Sequence, residues 1–333
     1  MRSDLAKKLS TLREAGTIVL LLAVVLAAWT KDHHFLEAKN LNSILLWIPL
    51  LAVVGMGQML VILTRGIDVS VGSTMGLAGI IVGMLFRDHA GLNVFVGAGI
   101  GLAIGAVLGA FNGGLIAWLK IPPIIATLGT LSAYRGLVFI VSKGDQVASN
   151  DIPDALVNWT MNGPIKVGGV TVSWLLVWAV VASIITAYLL KQTRTGRDIF
   201  SIGSNPDAAM LRGIPVRKVT FIVYTICGAF AGLAGVLYAS RYGFVNPGSA
   251  GTGFELIVIA AVVIGGTNVF GGSGTVPGVL LGCLLLGTIN VALAVLGIDE
   301  TWQKLVYGLV ILVALILDSG VKKWLGKLSE VGS

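Results

Sequence analysis

Residues 191–218 read KQTRTGRDIFSIGSNPDAAMLRGIPVRK, a polar island between the long apolar runs 172–190 and 219–239. A helix needs about 20 apolar residues to cross a bilayer at a rise of 1.5 Å each. The island therefore reads as a connection between two membrane-spanning helices, and its own residues predict a short helix within it. Asn205 is a good N-cap, Pro206 suits the first helical position because its missing N–H would be unpaired there, and Asp207 complements the positive helix end. Ala208, Ala209 and the residues up to Arg212 can continue the turn. Gly213 can take positive φ after the last turn and Pro215 forbids continuation, which holds the helix to about two turns. Two readings fit this pattern: an ordinary capped connection, and a helix built to be gripped by another protein.

Working outward, the 333 residues are 56% hydrophobic and only 12% charged, the balance of a polytopic membrane protein. Ten candidate spans follow, at 17–29, 44–64, 69–86, 93–119, 121–141, 172–190, 219–239, 254–270, 275–296 and 302–317. Long continuous apolar runs argue helices, since a membrane strand alternates over about ten residues. The predicted fold class is all-α, with about ten transmembrane helices in a single domain, 1–333.

Threading the spans alternately with the N-terminus inside gathers most of the 23 Lys and Arg on the inner face. These are Arg2, Lys7, Lys8, Arg13, Arg65, Lys120, the six bases of the island, Lys322, Lys323 and Lys327. The positive-inside rule selects this topology. It puts segment 1–14, the 191–218 connection and the 319–333 tail in the cytoplasm, and makes 142–171 a periplasmic loop. The net charge of +7 is then a topology signal and not a nucleic-acid footprint, because no basic cluster interleaved with aromatics lies away from a span flank. The first span is also compatible with a secretory signal, with small residues at 25–27. Cys227 and Cys283 both fall in spans, where apolar packing is their expected role.

Several chemistries are excluded. The chain carries no G-x-x-x-x-G-K-[ST], so ATP hydrolysis, and the ATP and Mg it uses, would belong to a partner; no cofactor is expected in the chain itself. His33, His34 and His89 lie in short connections without metal-ligand spacing. Ion-coupled carriers keep ionisable groups at depth, and these spans are nearly free of them; Asp68, Arg135, Glu255 and Asp318 sit near predicted ends.

An internal repeat points to a path. Gly109-x-x-Asn112-x-x-Leu115 and Gly287-x-x-Asn290-x-x-Leu293 are 178 positions apart, and the same offset lays spans two to five over seven to ten. Halves of five spans have opposite orientations, so this would be a 5+5 inverted repeat. It pairs the two spans that open through glycine and polar residues, one at 66–73 and one at 246–253. The path candidates are Asp68, Ser70, Asn112 and Asn290, with Gln58 and Glu255 behind them. The bland alternatives are helix-to-helix hydrogen bonds for the asparagines and close packing for the glycines.

Four stretches carry a resemblance. They are Leu63-Thr64-Arg65-Gly66-Ile67-Asp68-Val69-Ser70-Val71-Gly72-Ser73, Ile125-Ala126-Thr127-Leu128-Gly129-Thr130, Gly203-x-Asn205-Pro206-x-Ala208-Ala209-x-x-x-Gly213-Ile214 after Gly196-Arg197, and Gly265-Gly266-Thr267-x-x-Phe270-Gly271-Gly272-x-Gly274-Thr275. They resemble the ribose-type permeases of bacterial ABC sugar importers over nearly the whole chain. The first stretch and Ala117-Trp118-Leu119-Lys120-Ile121-Pro122 are most similar to autoinducer-2 importer permeases, with rhamnose and ribose permeases close by. The resemblance implies that Asn205, Pro206, Asp207, Ala208, Ala209, Arg212 and Gly213 form a coupling helix against a cytoplasmic ATPase. It also implies two ATPase copies, a second permease, identical or homologous, and a periplasmic solute-binding protein that selects the ligand, all at the bacterial inner membrane. The acidic residue stands one place away from the Glu-Ala-Ala of other ABC permeases, so no salt-bridge role transfers to Asp207. Rival readings are a branched-chain amino-acid permease, an ion-coupled sugar carrier and a membrane scaffold.

Overall fold

The computed structural model describes residues 2–298, with side chains from Ala15 onward, together with Trp302, Leu305, Gly308, Leu309 and Leu312. Its helices are α1 (Arg2–Lys31), α2 (Ala38–Leu63), α3 (Val71–Asp88), α4 (Val94–Ala117), α5 (Pro123–Ser142), α6 (Asp154–Met161), α7 (Trp174–Gln192), α8 (Arg194–Ser204), α9 (Pro206–Leu211), α10 (Val216–Tyr242), α11 (Phe254–Ile264) and α12 (Val276–Val295). A two-stranded antiparallel hairpin, β1 (Ile165–Val167) and β2 (Val170–Val172), is the exception to the helical fold among the described residues. Among the described residues seven helices, α2, α3, α4, α5, α7, α10 and α12, are long and apolar enough to cross a membrane.

The centre is α2 against α10. Residues 50–63 of α2 are buried without a break, as a helix that is apolar all round must be. Around this pair, α10 packs on α3 and α4, α7 and α12 pack on α2, α1 lies on α12, and α5 lies on α3. The α4–α10 seam is made of glycine. A Cβ at Gly105 would stand 2.1 Å from the Gly228 carbonyl oxygen, and one at Gly232 would stand 2.1 Å from that of Gly101. Backbones therefore meet directly, as in small-residue membrane interfaces.

Helix boundaries keep the 178 spacing: α2 opens at Ala38 and α10 at Val216, while α4 closes at Ala117 and α12 at Val295. The left-handed residues after α2 and α10, Arg65 (φ 66°) and Gly243 (φ 69°), keep it too.

One expectation needs correction, and two connections carry more structure than the residue pattern shows. The eighth span, 254–270, is an 11-residue helix that stops at Ile264. Gly266 turns to φ 92°, Gly265 abuts the Gly278 backbone, and the Asn268 side chain ties up a turn by accepting from the Phe270 N–H. At about 1.5 Å per residue α11 reaches only about half-way across a bilayer. The 142–171 loop is a folded unit, with α6 pinned to α10 where the Ser240 hydroxyl donates to the Leu156 carbonyl at 2.6 Å. The 191–218 connection holds two helices, not one: α8 precedes the expected one. The tenth span, 302–317, lies largely outside the described residues, as does the 319–333 tail.

Candidate functional site

The segment between α2 and α3 gathers the polar groups. Asp68 turns back on the chain, its Oδ1 accepting from the Ser70 N–H at 2.9 Å and the Ser70 hydroxyl at 2.7 Å. Asn112 of α4 donates to the Ser70 hydroxyl at 2.8 Å, and its own oxygen lies 3.4 Å from the Tyr134 hydroxyl of α5, which donates to the Leu108 carbonyl at 2.9 Å. With its amide turned to satisfy both ends, Gln58 of α2 brackets the Asp68 backbone, donating to its carbonyl and accepting from its N–H at 3.2 Å each. The Thr127 hydroxyl of α5 lies 3.2 Å from the Ile67 carbonyl and 2.9 Å from the Pro123 carbonyl of its own helix, which share its one proton. Asp68, Ser70, Gln58 and Asn112 are all buried. Among the described residues the carboxyl is held by the Ser70 N–H and hydroxyl, with no Lys or Arg hydrogen-bonded to it. The Tyr224 hydroxyl of α10 is buried without a hydrogen-bond partner and fills the space where a Cβ on Gly66 would stand, 2.4 Å away.

Four of the six path candidates thus form one buried layer. The other two do not join it. Glu255, in the first turn of α11, reaches over Gly72 at the start of α3, where a Cβ would stand 2.3 Å from its Oε2; Arg135 lies within its electrostatic reach and donates to the Ala250 carbonyl at 2.7 Å. Asn290 lines a groove of about 470 Å³ between α2, α10 and α12, with Lys39, Trp47 and Arg241 around it. The Arg241 guanidinium stands 4.8 Å over the Trp47 ring and donates to the Leu46 carbonyl at 2.6 Å.

The 191–218 connection is built as a helical elbow. In α8 the Thr193 hydroxyl caps the Gly196 N–H at 3.1 Å, and Gly196, Ile199, Ile202 and Gly203 form its buried face. In α9 the Asn205 side chain accepts from the Ala208 N–H at 3.0 Å, with Pro206 at the first position. At its end the Gly213 N–H donates to Met210 and the Ile214 N–H to Ala209, with Gly213 at φ 76°. Ala209 is buried and so seats the helix, while Met210 and Leu211 face out, Leu211 being 90% exposed. Arg212 and Asp207 are exposed beside them.

The elbow is locked to the end of α2. Arg65 donates through Nε to the Gly203 carbonyl at 2.8 Å and through Nη2 to the Ser204 carbonyl at 2.7 Å, and the Gly272 N–H donates to the Leu63 carbonyl at 3.0 Å. Residue patterns alone left out Arg65, Tyr134, Thr127 and Tyr224. Arg65, between Thr64 and Gly66, was the one with a local signal, a cation followed directly by glycine at a helix end.

Among the described residues no group of three or more His, Cys, Asp or Glu is placed to hold a metal. His34 is occupied with Glu37, whose hydrogen bond and charge raise the imidazole pKa.

Comparison with known proteins follows this architecture. The chain matches the family described as "Branched-chain amino acid transport system / permease component" over residues 40–315. It is 35% identical over 93% of its length to the Autoinducer 2 import system permease protein LsrC of Salmonella paratyphi B, covering 87% of that protein. It is equally identical to the proteins of that name from Photorhabdus laumondii, of which it covers 90%, and from Escherichia coli O157:H7, of which it covers 88%. The resemblance read from the motifs holds: the chain belongs to this family of transport-system permeases, and within it stands beside the autoinducer 2 permeases at full length.

Proposed function

We propose that the chain is the membrane permease of an ATP-driven importer for a sugar or a sugar-like molecule, autoinducer 2 included, at the bacterial inner membrane. The observation that carries this reading is α9: capped at both ends, seated by Ala209, and presenting Met210 and Leu211 to solvent next to Asp207 and Arg212. An exposed apolar pair on a rigid helix is a docking feature, here for a cytoplasmic ATPase. Two ATPase copies, which use ATP and Mg, and a second permease complete the assembly, and a periplasmic binding protein delivers the ligand. The relatives at 35% identity favour a sugar-like cargo over a branched-chain amino acid. The layer of Asp68, Ser70 and Asn112 and the groove at Asn290 supply polar groups at two depths of one route, in keeping with an inverted repeat. N- and C-termini lie in the cytoplasm, as does the elbow.

Leu211→Glu tests the reading. It places a charge on the docking face without touching a buried residue, so ATPase binding and uptake should both fall by about ten-fold or more while insertion is unchanged. Uptake should survive collapse of the ion gradient and require the ATPase; uptake that follows the gradient would identify a secondary carrier. A cysteine at position 204 should be labelled only from the cytoplasm, and one at 151 only from the periplasm. Both on one side would overturn the threading.

A further inference from the structure

We propose that Arg65 is the positioning residue through which displacement of the α8–α9 elbow reaches the buried polar layer. The inference rests on α9 being the ATPase-docking helix.

The two helices of the elbow meet at Asn205, which ends α8 and caps α9, so a load on α9 arrives at the last turn of α8. The guanidinium grips that turn by its two terminal carbonyls, Gly203 and Ser204. These are helix-end acceptors with no partner inside α8, and a planar fork holds two of them in a fixed direction. There is no slack around the grip. A Cβ on Gly203 would stand 1.9 Å from the Leu63 carbonyl oxygen, and one on Gly271 would stand 2.6 Å from the Arg65 side chain. On the other side of Arg65, two residues separate it from Asp68. Gly66 donates to Val61 and abuts Tyr224, the Thr127 hydroxyl contacts the Ile67 carbonyl, and Gln58 brackets Asp68. The short segment 65–68 is tied at every residue, so it shifts as a unit.

The backbone supplies the second observation. Arg65 sits at φ 66°, where residues with a Cβ are disfavoured and glycine is at ease; the counterpart 178 positions on, after α10, is Gly243. The chain tolerates the unfavourable conformation at position 65 and keeps the side chain that the cytoplasmic end uses.

Arg65→Gly separates transmission from structure, because it suits the backbone while removing the fork. The experiment uses the complete complex with its ATPase, carrying Ile67→Cys as a thiol reporter in the segment. The rate of thiol labelling is compared without nucleotide and after trapping with ATP and vanadate. With Arg65 present the two states should differ by about five-fold or more, and with Arg65→Gly by less than about two-fold, although ATPase binding and basal ATP hydrolysis are kept. Arg65→Lys, which keeps the charge without the fork, should behave like the glycine variant. A five-fold state difference that persists in Arg65→Gly overturns the proposal. So does loss of ATPase binding in that variant, which would make Arg65 a static clamp of the docking elbow. If Leu211→Glu leaves ATPase binding intact, the docking reading itself falls and the proposal with it, an outcome distinct from either Arg65 result.

Discussion

The segment that leads into α3 and the one that leads into α11 stand 178 positions apart and are built on the same backbone plan. Each follows a left-handed residue, Arg65 or Gly243, and each turns on an acidic or amide side chain that accepts from the N–H two residues on. Asp68 takes the Ser70 N–H at 2.9 Å; Asn246 takes the Gly248 N–H at 2.8 Å. They meet in the interior, where Gly72 leaves room for the Gly251 carbonyl, a Cβ there standing 2.3 Å from it. Their surroundings differ. Asp68 is buried under Gln58, Ser70 and Asn112, whereas Asn246 is half-buried in a turn whose Gly248 is exposed, with Gln146 at 3.4 Å. The same contrast runs along the helices. α4 is sealed to α10 by a glycine seam, while its counterpart α12 meets α2 across side chains and leaves the groove at Asn290. The two segments are thus one local plan in two settings, the copy with Asp68 closed and the other copy open.

The largest effect that would break this comparison comes from the paired glycines. At Gly109 a Cβ would stand 2.2 Å from the Tyr224 carbonyl oxygen, backbone against methyl with nothing able to give. At Gly287 the nearest atom, on Trp47, is 3.5 Å away, an ordinary contact. Gly109→Ala should therefore destabilise by about 3 kcal/mol through overpacking, seen as a fall in thermal midpoint and in monodisperse protein. Gly287→Ala should lie between neutral and about 1 kcal/mol stabilising, from helix propensity. Equal losses at both sites would show that the seams are alike.

The asparagines come next. Asn112→Leu removes the amide that donates to the Ser70 hydroxyl, which keeps its own bond to Asp68, and should lose about 0.5–1.5 kcal/mol of stability. Asn290→Leu, in the groove, should lower uptake by more than it lowers the amount of intact complex. Intact complex and uptake rate measured side by side distinguish the two. An Asn290 variant that fails to fold would make that residue a helix-to-helix bond and remove it from the route.

How much of this was legible in the sequence depends on what each feature rests on. α9 was readable because capping is local: Asn205, Pro206 and Gly213 carry their signals within a few residues. Long apolar runs likewise revealed the spans. α8 is hidden by the charged residues Arg194, Arg197 and Asp198 on its outer face, although Ile199, Ile202 and Gly203 mark the buried one. α11 was read as longer than it is because apolar residues continue past Ile264, and hydropathy cannot see that Gly265 is held against Gly278. The offset of 178 pairs Asn112 with Asn290 in sequence, but it carries no information on which helix faces are sealed. That is set by glycines on the partner, Gly228 and Gly232 on α10, whose counterparts 178 positions earlier on α2 are Leu50 and Val54. Tyr134, Tyr224 and Thr127 joined the site through tertiary packing alone.

The smallest effect is expected at the two turn residues themselves. Asp68→Asn keeps an Oδ1 that can still accept from the Ser70 N–H and hydroxyl, and the Gln58 contacts go to the backbone, which the change does not alter. Stability should move by less than about 1 kcal/mol, the scale of a neutral hydrogen bond replacing a charge-assisted one. Asn246→Asp, in a half-buried turn that either residue can cap, should move it less still, within about 0.5 kcal/mol. The two halves then part in function: if the first copy is the charged one on the route, Asp68→Asn should reduce uptake at unchanged complex yield, and Asn246→Asp should not. Thermal midpoints and uptake rates of the two variants, taken in the same membranes, decide it. Uptake that falls equally in both would mean that the turns act through their shared backbone shape and that the charge at Asp68 is incidental.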